Sequence, residues 1–120
     1  MNKVSWTHII ADLYECDFDY FINKHTHQYI KEFFEQKVVS SWLTIIWSLI
    51  HTFENNSFSI IIMLSESHLC IHTWPEKNYV SMDIFVCNYL KDNTEVSKKL
   101  YKDIFIYFSC KKEKLNILKR

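Results

Sequence analysis

Hydrophobic and polar residues alternate from position 6 to 14, with Thr7, Ile9, Ala11 and Leu13 on one face and Trp6, His8, Ile10, Asp12 and Tyr14 on the other. That period of two predicts a strand with polar groups on one face. Over 17–37 the spacing becomes helical: Phe18, Phe21, Ile22, Tyr29, Ile30, Phe33 and Phe34 form a stripe, and Asp17 or Asp19 can cap its start. Residues 44–53 are almost all apolar and suit helix or strand by themselves. Asn55-Asn56 followed by the Ile-rich run 58–64 decides for a hairpin. Further strands are predicted over 68–74 and, after the turn Pro75-Glu76-Lys77-Asn78, over 79–87. Asp92-Asn93-Thr94 is expected to cap a helix to about position 103, 104–110 to form a last strand, and 111–120 to be an exposed basic tail. Strands outnumber helices and hairpins dominate. The predicted class is α+β, a two-layer sandwich of an antiparallel sheet with helices packed on one face.

The 120 residues suit a single domain over 1–120, and 48% apolar with 17% aromatic content is enough for a core. Fourteen basic and fourteen acidic side chains cancel, which argues against a nucleic-acid partner. The balance is uneven: residues 1–97 hold six Lys against twelve acids, and 98–120 hold eight Lys/Arg against two. The sequence has no glycine, which excludes Gly-rich phosphate loops and dinucleotide fingerprints and leaves turns with positive φ to Asn and Asp. The longest apolar run, 38–50, has thirteen residues with four hydroxyls, too short to span a membrane. Met1-Asn2-Lys3 leads straight into the strand pattern. A cytoplasmic protein without a leader is expected, with Cys16, Cys70, Cys87 and Cys110 as free thiols.

The densest polar cluster lies over 65–76, where strand geometry puts His68, Cys70, His72 and Trp74 on one face. His-x-His on a strand can hold a metal, yet no third and fourth ligand is evident, and pairing with neighbours on a half-buried sheet face is the stronger of the two readings. No metal site is assigned. His25 and His27 fall in a helical stretch where i and i+2 do not face each other, so they read as surface residues.

Glu66-Ser67-His68, then Ile71-His72-Thr73-Trp74-Pro75-Glu76, then 83–87, resembles the S-adenosylmethionine decarboxylase proenzyme family in its short bacterial and archaeal form. Residues 10–16, His51-Thr52-Phe53 and Ser59 extend the resemblance over about 6–88. The resemblance implies self-cleavage between Glu66 and Ser67 into a 1–66 β chain and a 67–120 α chain. Ser67 attacks the Glu66 carbonyl, and elimination then leaves a covalent pyruvoyl cofactor on the α chain. By the same resemblance, Ser59 assists processing, His72 is the base and Cys87 is the proton donor to the product. Phe53 and Trp74 stack on the adenine of S-adenosylmethionine, and Glu76 holds its ribose. The pyruvoyl carbonyl takes the substrate amine as a Schiff base and accepts the electrons left by CO₂. Ser67 and His72 have opposite parity on one strand, and the family's answer is a homodimer with shared active sites.

The expected activity is pyruvoyl-dependent decarboxylation of S-adenosylmethionine for polyamine synthesis. The alternatives are a relative acting on arginine or ornithine, and an unprocessed homologue that binds or regulates a partner. A zinc-binding module stands behind both. Ser57 and Ile60 occupy positions where the family has glycine, and Ile60 is expected to obstruct the pocket or slow cleavage. Asn88 replaces a third glycine, a milder change because Asn tolerates the left-handed region.

Overall fold

The structure is a computed structural model that describes residues 4–19, 26–89 and 91–120. Its strands are β1 (Trp6–Tyr14), β2 (Ile45–Thr52), β3 (Phe58–Leu64), β4 (Ser67–Trp74), β5 (Tyr79–Cys87) and β6 (Lys112–Lys119). The helices are α1 (His27–Ser40) and α2 (Thr94–Tyr107), with a 3₁₀ turn at Pro75–Lys77. All strand pairs are antiparallel, in the order β2-β3-β4-β5-β1-β6. The expected two-layer α+β sandwich is what forms.

Alternation decides the layers. Thr7, Ile9, Ala11 and Leu13 of β1, Val80, Met82, Ile84 and Val86 of β5, and Leu69 and Ile71 of β4 are all buried beneath the helices. Ile30, Phe34 and Val38 of α1 and Leu100 and Ile104 of α2 close over them, with Phe108 stacked on both Phe34 and Phe58. Among the described residues, no helix covers the other face. It presents His8, Asp83, His68, His72 and Ser59 among the exposed apolar residues Ile10, Ile61, Met63 and Trp74.

Several boundaries differ from expectation. Helix α1 is capped by Thr26, whose Oγ1 accepts from the Tyr29 N–H at 3.1 Å, and it runs to Ser40. Tyr29 sits on its exposed face, while Phe21, Ile22 and His25 lie outside the described residues. The strand expected over 104–110 is the end of α2 and the turn after it. Leu100, Ile104 and Phe108, each buried at four-residue spacing, continue one helical stripe, and that packing overrides the strand propensity of Ile-Phe-Ile-Tyr-Phe. The basic tail is β6, paired with β1 along its whole length and exposed at every residue but Leu115. Its Lys and Glu side chains suit an edge strand, where main-chain pairing needs no buried face. Cys16 and Cys110 are bonded as a disulfide, not free, because the end of β1 and the turn after α2 meet; Cys70 and Cys87 are free.

Without glycine, six of the described residues take positive φ: Glu15, Trp42, Asn56, Glu66, Asn78 and Ser109. Asn56 and Asn78 fall in the two predicted turns. Asn88 does not: its φ is not positive, and it joins loops instead, donating from Nδ2 to Thr7 Oγ1 and accepting the Asn93 N–H.

Candidate active site at two ends of one strand

Strand β4 carries candidate residues at both ends. At its start, Ser65 and Glu66 form a two-residue hairpin loop between Leu64 and its partner Ser67. The preferred hairpin turns require positive φ at the first central residue. Here only the second, Glu66, has it, at 58°, a strained choice for a side chain with a Cβ. Ser67 Oγ accepts the Cys87 N–H at 2.8 Å, and Cys87 Sγ donates to Glu66 Oε2 at 3.6 Å. Trp6 donates from its indole Nε1 to the Glu66 carbonyl oxygen at 3.1 Å. The cleft here, about 340 Å³, is also lined by Trp42, Tyr89 and Lys91.

At the other end, Ser59 and His72 are direct cross-strand partners with Ser59 Oγ 2.7 Å from His72 Nδ1. Trp74 and Phe53 are 37% and 50% exposed and border the same cleft, about 270 Å³, as Glu76. Glu76 is oriented by Asn55, whose Nδ2 donates to Oε2 at 3.0 Å. Asn55 Oδ1 in turn accepts from the backbone and hydroxyl of Ser57. Ile60 does not enter this cleft. It is fully buried on the opposite face of β3 with Phe58 and Ile62, which corrects the expectation of an obstructed pocket.

The structure therefore gathers Glu66, Ser67 and Cys87 in one group and Ser59, His72, Phe53, Trp74 and Glu76 in another. Five residues of extended chain separate Ser67 from His72, roughly 17 Å. The Ser67 cleft is at the lower end of the ~300–1,000 Å³ of ligand pockets and the His72 cleft just below it.

Between the two groups lies a network that strand periodicity only partly indicated. Asp83 Oδ2 is 3.0 Å from Nε2 of both His8 and His68, and Arg120 reaches His8 Nδ1 at 3.4 Å. Among the described residues His8, His68 and Asp83 are the one group with three metal-ligating atoms close together. His72 takes no part in it. Burial, and then the adjacent Asp83 carboxylate, push the Cys70 thiol up to about 11. Sequence reasoning gave no site role to Trp6, Asn55 or Trp42. Trp6 left a signal as an aromatic on the polar face of β1, and Asn55 as half of the Asn55-Asn56 turn.

Fold and site define a single-sheet α+β protein with hydroxyl, thiol and imidazole groups along one central strand. A family model described as S-adenosylmethionine decarboxylase matches residues 7–120. An S-adenosylmethionine decarboxylase proenzyme of Clostridium botulinum is 36% identical over 112 residues, covering 85% of this chain and 94% of the relative. One of Thermotoga petrophila is 40% identical over 80 residues, covering 67% and 59%. The crystal structure of the adenosylmethionine decarboxylase from Aquifex aeolicus superposes with a TM-score of 0.80 at 27% identity, over 98% of this chain and 92% of that one. The chain belongs to the S-adenosylmethionine decarboxylase family.

Proposed function

We propose that this chain is a proenzyme that cleaves itself between Glu66 and Ser67, into chains 1–66 and 67–120, and then decarboxylates S-adenosylmethionine for polyamine synthesis. The observation that carries the reading is the Glu66–Ser67 hairpin. A serine hydroxyl, held by the Cys87 N–H, adjoins a carbonyl in a strained left-handed turn, within a chain covering nearly all of a proenzyme relative. Those residues fit a pyruvoyl group derived from Ser67. Such a group supplies a carbonyl electron sink for loss of CO₂ from an amino acid.

The remaining roles fall to the chain's own side chains. Cys87 borders the Ser67 cleft and gives a proton to the product. His72, set by Ser59, moves the proton during processing. Phe53 and Trp74 offer flat, half-exposed faces for a base and a cationic sulfonium, and Glu76 accepts from ribose hydroxyls. One chain keeps these groups at opposite ends of β4, so the site needs a second copy. We assign that copy to the helix-free face, where exposed Ile10, Ile61, Met63 and Trp74 surround the polar residues. A homodimer packed there brings His72 of one protomer toward Ser67 of the other.

Of the described residues, no helix is long and apolar enough to cross a membrane. We place the protein in the cytoplasm, with no nucleic-acid or membrane partner. Phe53 and Trp74 border one cleft with Glu76, which favours the nucleoside substrate over arginine or ornithine. The buried position of Ile60 removes the structural argument for an unprocessed homologue.

Intact mass under denaturing conditions, with CO₂ release from S-adenosylmethionine, arginine and ornithine, tests the reading. Two fragments split at 66/67 and turnover of S-adenosylmethionine are expected. A single full-length species after prolonged incubation overturns it.

A further inference from the structure

We propose that Trp6 is a catalytic residue of the self-cleavage step, its indole N–H stabilising the oxyanion that develops on the Glu66 carbonyl. This rests on the self-cleavage reading and goes beyond it, to a residue two strands away from β4. When Ser67 Oγ adds to the Glu66 carbon, a C–O bond forms and the carbonyl oxygen takes the negative charge. Collapse breaks the C–N bond, and the hydroxyl proton ends on the freed Ser67 amine. The product is an ester with no change in oxidation state. Through this step the group that needs a donor is the Glu66 oxygen, and Trp6 Nε1 already stands 3.1 Å from it.

The donor is held before the reaction begins. The Trp6 backbone exchanges two 2.8 Å hydrogen bonds with Arg120, locking the start of β1 to the end of β6. Trp6 is also the register partner of Cys87, and its ring packs on Phe85 at 5.4 Å between centroids. The backbone N–H of Cys87 binds the attacking oxygen while the Trp6 indole N–H binds the attacked carbonyl, so one β1–β5 pair addresses both reacting groups.

The test uses full-length protein prepared uncleaved by cell-free synthesis, comparing wild type, W6F and a chain with 3-benzothienylalanine at position 6, which keeps the shape but replaces N–H by sulfur. Two rates are read: spontaneous conversion to fragments, and cleavage in hydroxylamine, which captures the ester before elimination. A hydrogen bond to a charged group predicts a loss of about 10–100-fold in both rates for both variants. Their thermal melting is expected to follow wild type, because the packing on Phe85 persists. If wild type cleaves and the benzothienyl variant cleaves as fast, Trp6 has no catalytic role. If W6F alone is slow, its effect is packing and the proposal fails. If wild type itself never cleaves, with or without hydroxylamine, the self-cleavage reading falls first.

Discussion

Sequence reasoning suggests restoring glycine at Ile60 to open the site, and the structure predicts the opposite outcome. Ile60 is 0% exposed on the core face of β3, between Phe58 and Ile62, with its side chain directed under the helices. Removing a fully buried isoleucine down to Cβ costs about 2–5 kcal/mol, the transfer term plus an unfilled cavity. Glycine in a strand interior adds about 0.5–1 kcal/mol through backbone entropy. The total, about 2.5–6 kcal/mol, is comparable with the ~5–15 kcal/mol by which a domain is stable. Unfolding entropy near 2.1 cal/mol/K per residue gives a chain of this length about 0.25 kcal/mol/K, so Tm should fall by about 10–24 °C. Ser57→Gly is the control. It loses one hydroxyl bond to Asn55 at a loop position and should cost about 1 kcal/mol. Melting followed by circular dichroism, with fragment formation followed by mass, decides between them. An I60G chain that melts within a few degrees of wild type and cleaves faster would refute the placement of Ile60 in the core.

Three other outcomes are expected. Ser67→Ala and His72→Ala chains should each be inactive alone, whereas co-expression should restore about a quarter of wild-type activity, because half the random dimers are mixed and each has one intact site; no recovery would exclude sites shared between protomers. Raised from 9.0 to about 11, Cys70 should hold about 100-fold less thiolate at pH 8 than an unperturbed thiol. Its alkylation should therefore be slow at pH 8 and accelerate toward pH 11, and Asp83→Asn, by removing the anion, should lower that midpoint; an unchanged profile would exclude Asp83 as a cause. Thiol titration of oxidised, denatured protein should find two groups per chain, Cys70 and Cys87, and four after reduction.

What could be read from the sequence was whatever local periodicity controls. Strands β1 and β5 alternate without a break and their limits were legible to the residue, and Asn56 and Asn78 marked their turns because a chain without glycine has few alternatives. The end of α2 was misread because Ile104-Phe105-Ile106-Tyr107-Phe108 satisfies both periods; only the burial of Leu100, Ile104 and Phe108 against the sheet resolves it. Strand β6 left no clear alternation of burial to find, since an edge strand held by main-chain bonds to β1 can be half Lys and Glu and exposed at all but Leu115. The opposite parity of Ser67 and His72 was legible from the period of two, whereas the homodimer with shared sites was only what the family resemblance implied. Contacts over long separations were not: Trp6 with Glu66, Cys16 with Cys110, and Asn55 with Glu76 depend on which strands become neighbours.

The missing glycines have a further consequence for where strain collects. Asn carries two of the six positive-φ positions at little cost, leaving Glu15, Trp42, Glu66 and Ser109 to side chains that disfavour the left-handed region by about 1–2 kcal/mol each. Two of these four, Trp42 and Glu66, border the Ser67 cleft, and none borders the cleft of His72, Trp74 and Glu76. The two ends of β4 thus differ in kind. The end proposed for the nucleoside is relaxed, its Glu76 oriented by an ordinary loop of Asn55 and Ser57. The proposed scissile end holds a strained residue whose turn exists only while the 66–67 bond is intact. Under the proposed cleavage Glu66 becomes a chain terminus and its φ is freed, so strain built during folding would be released by the bond-breaking step and by no step of later turnover.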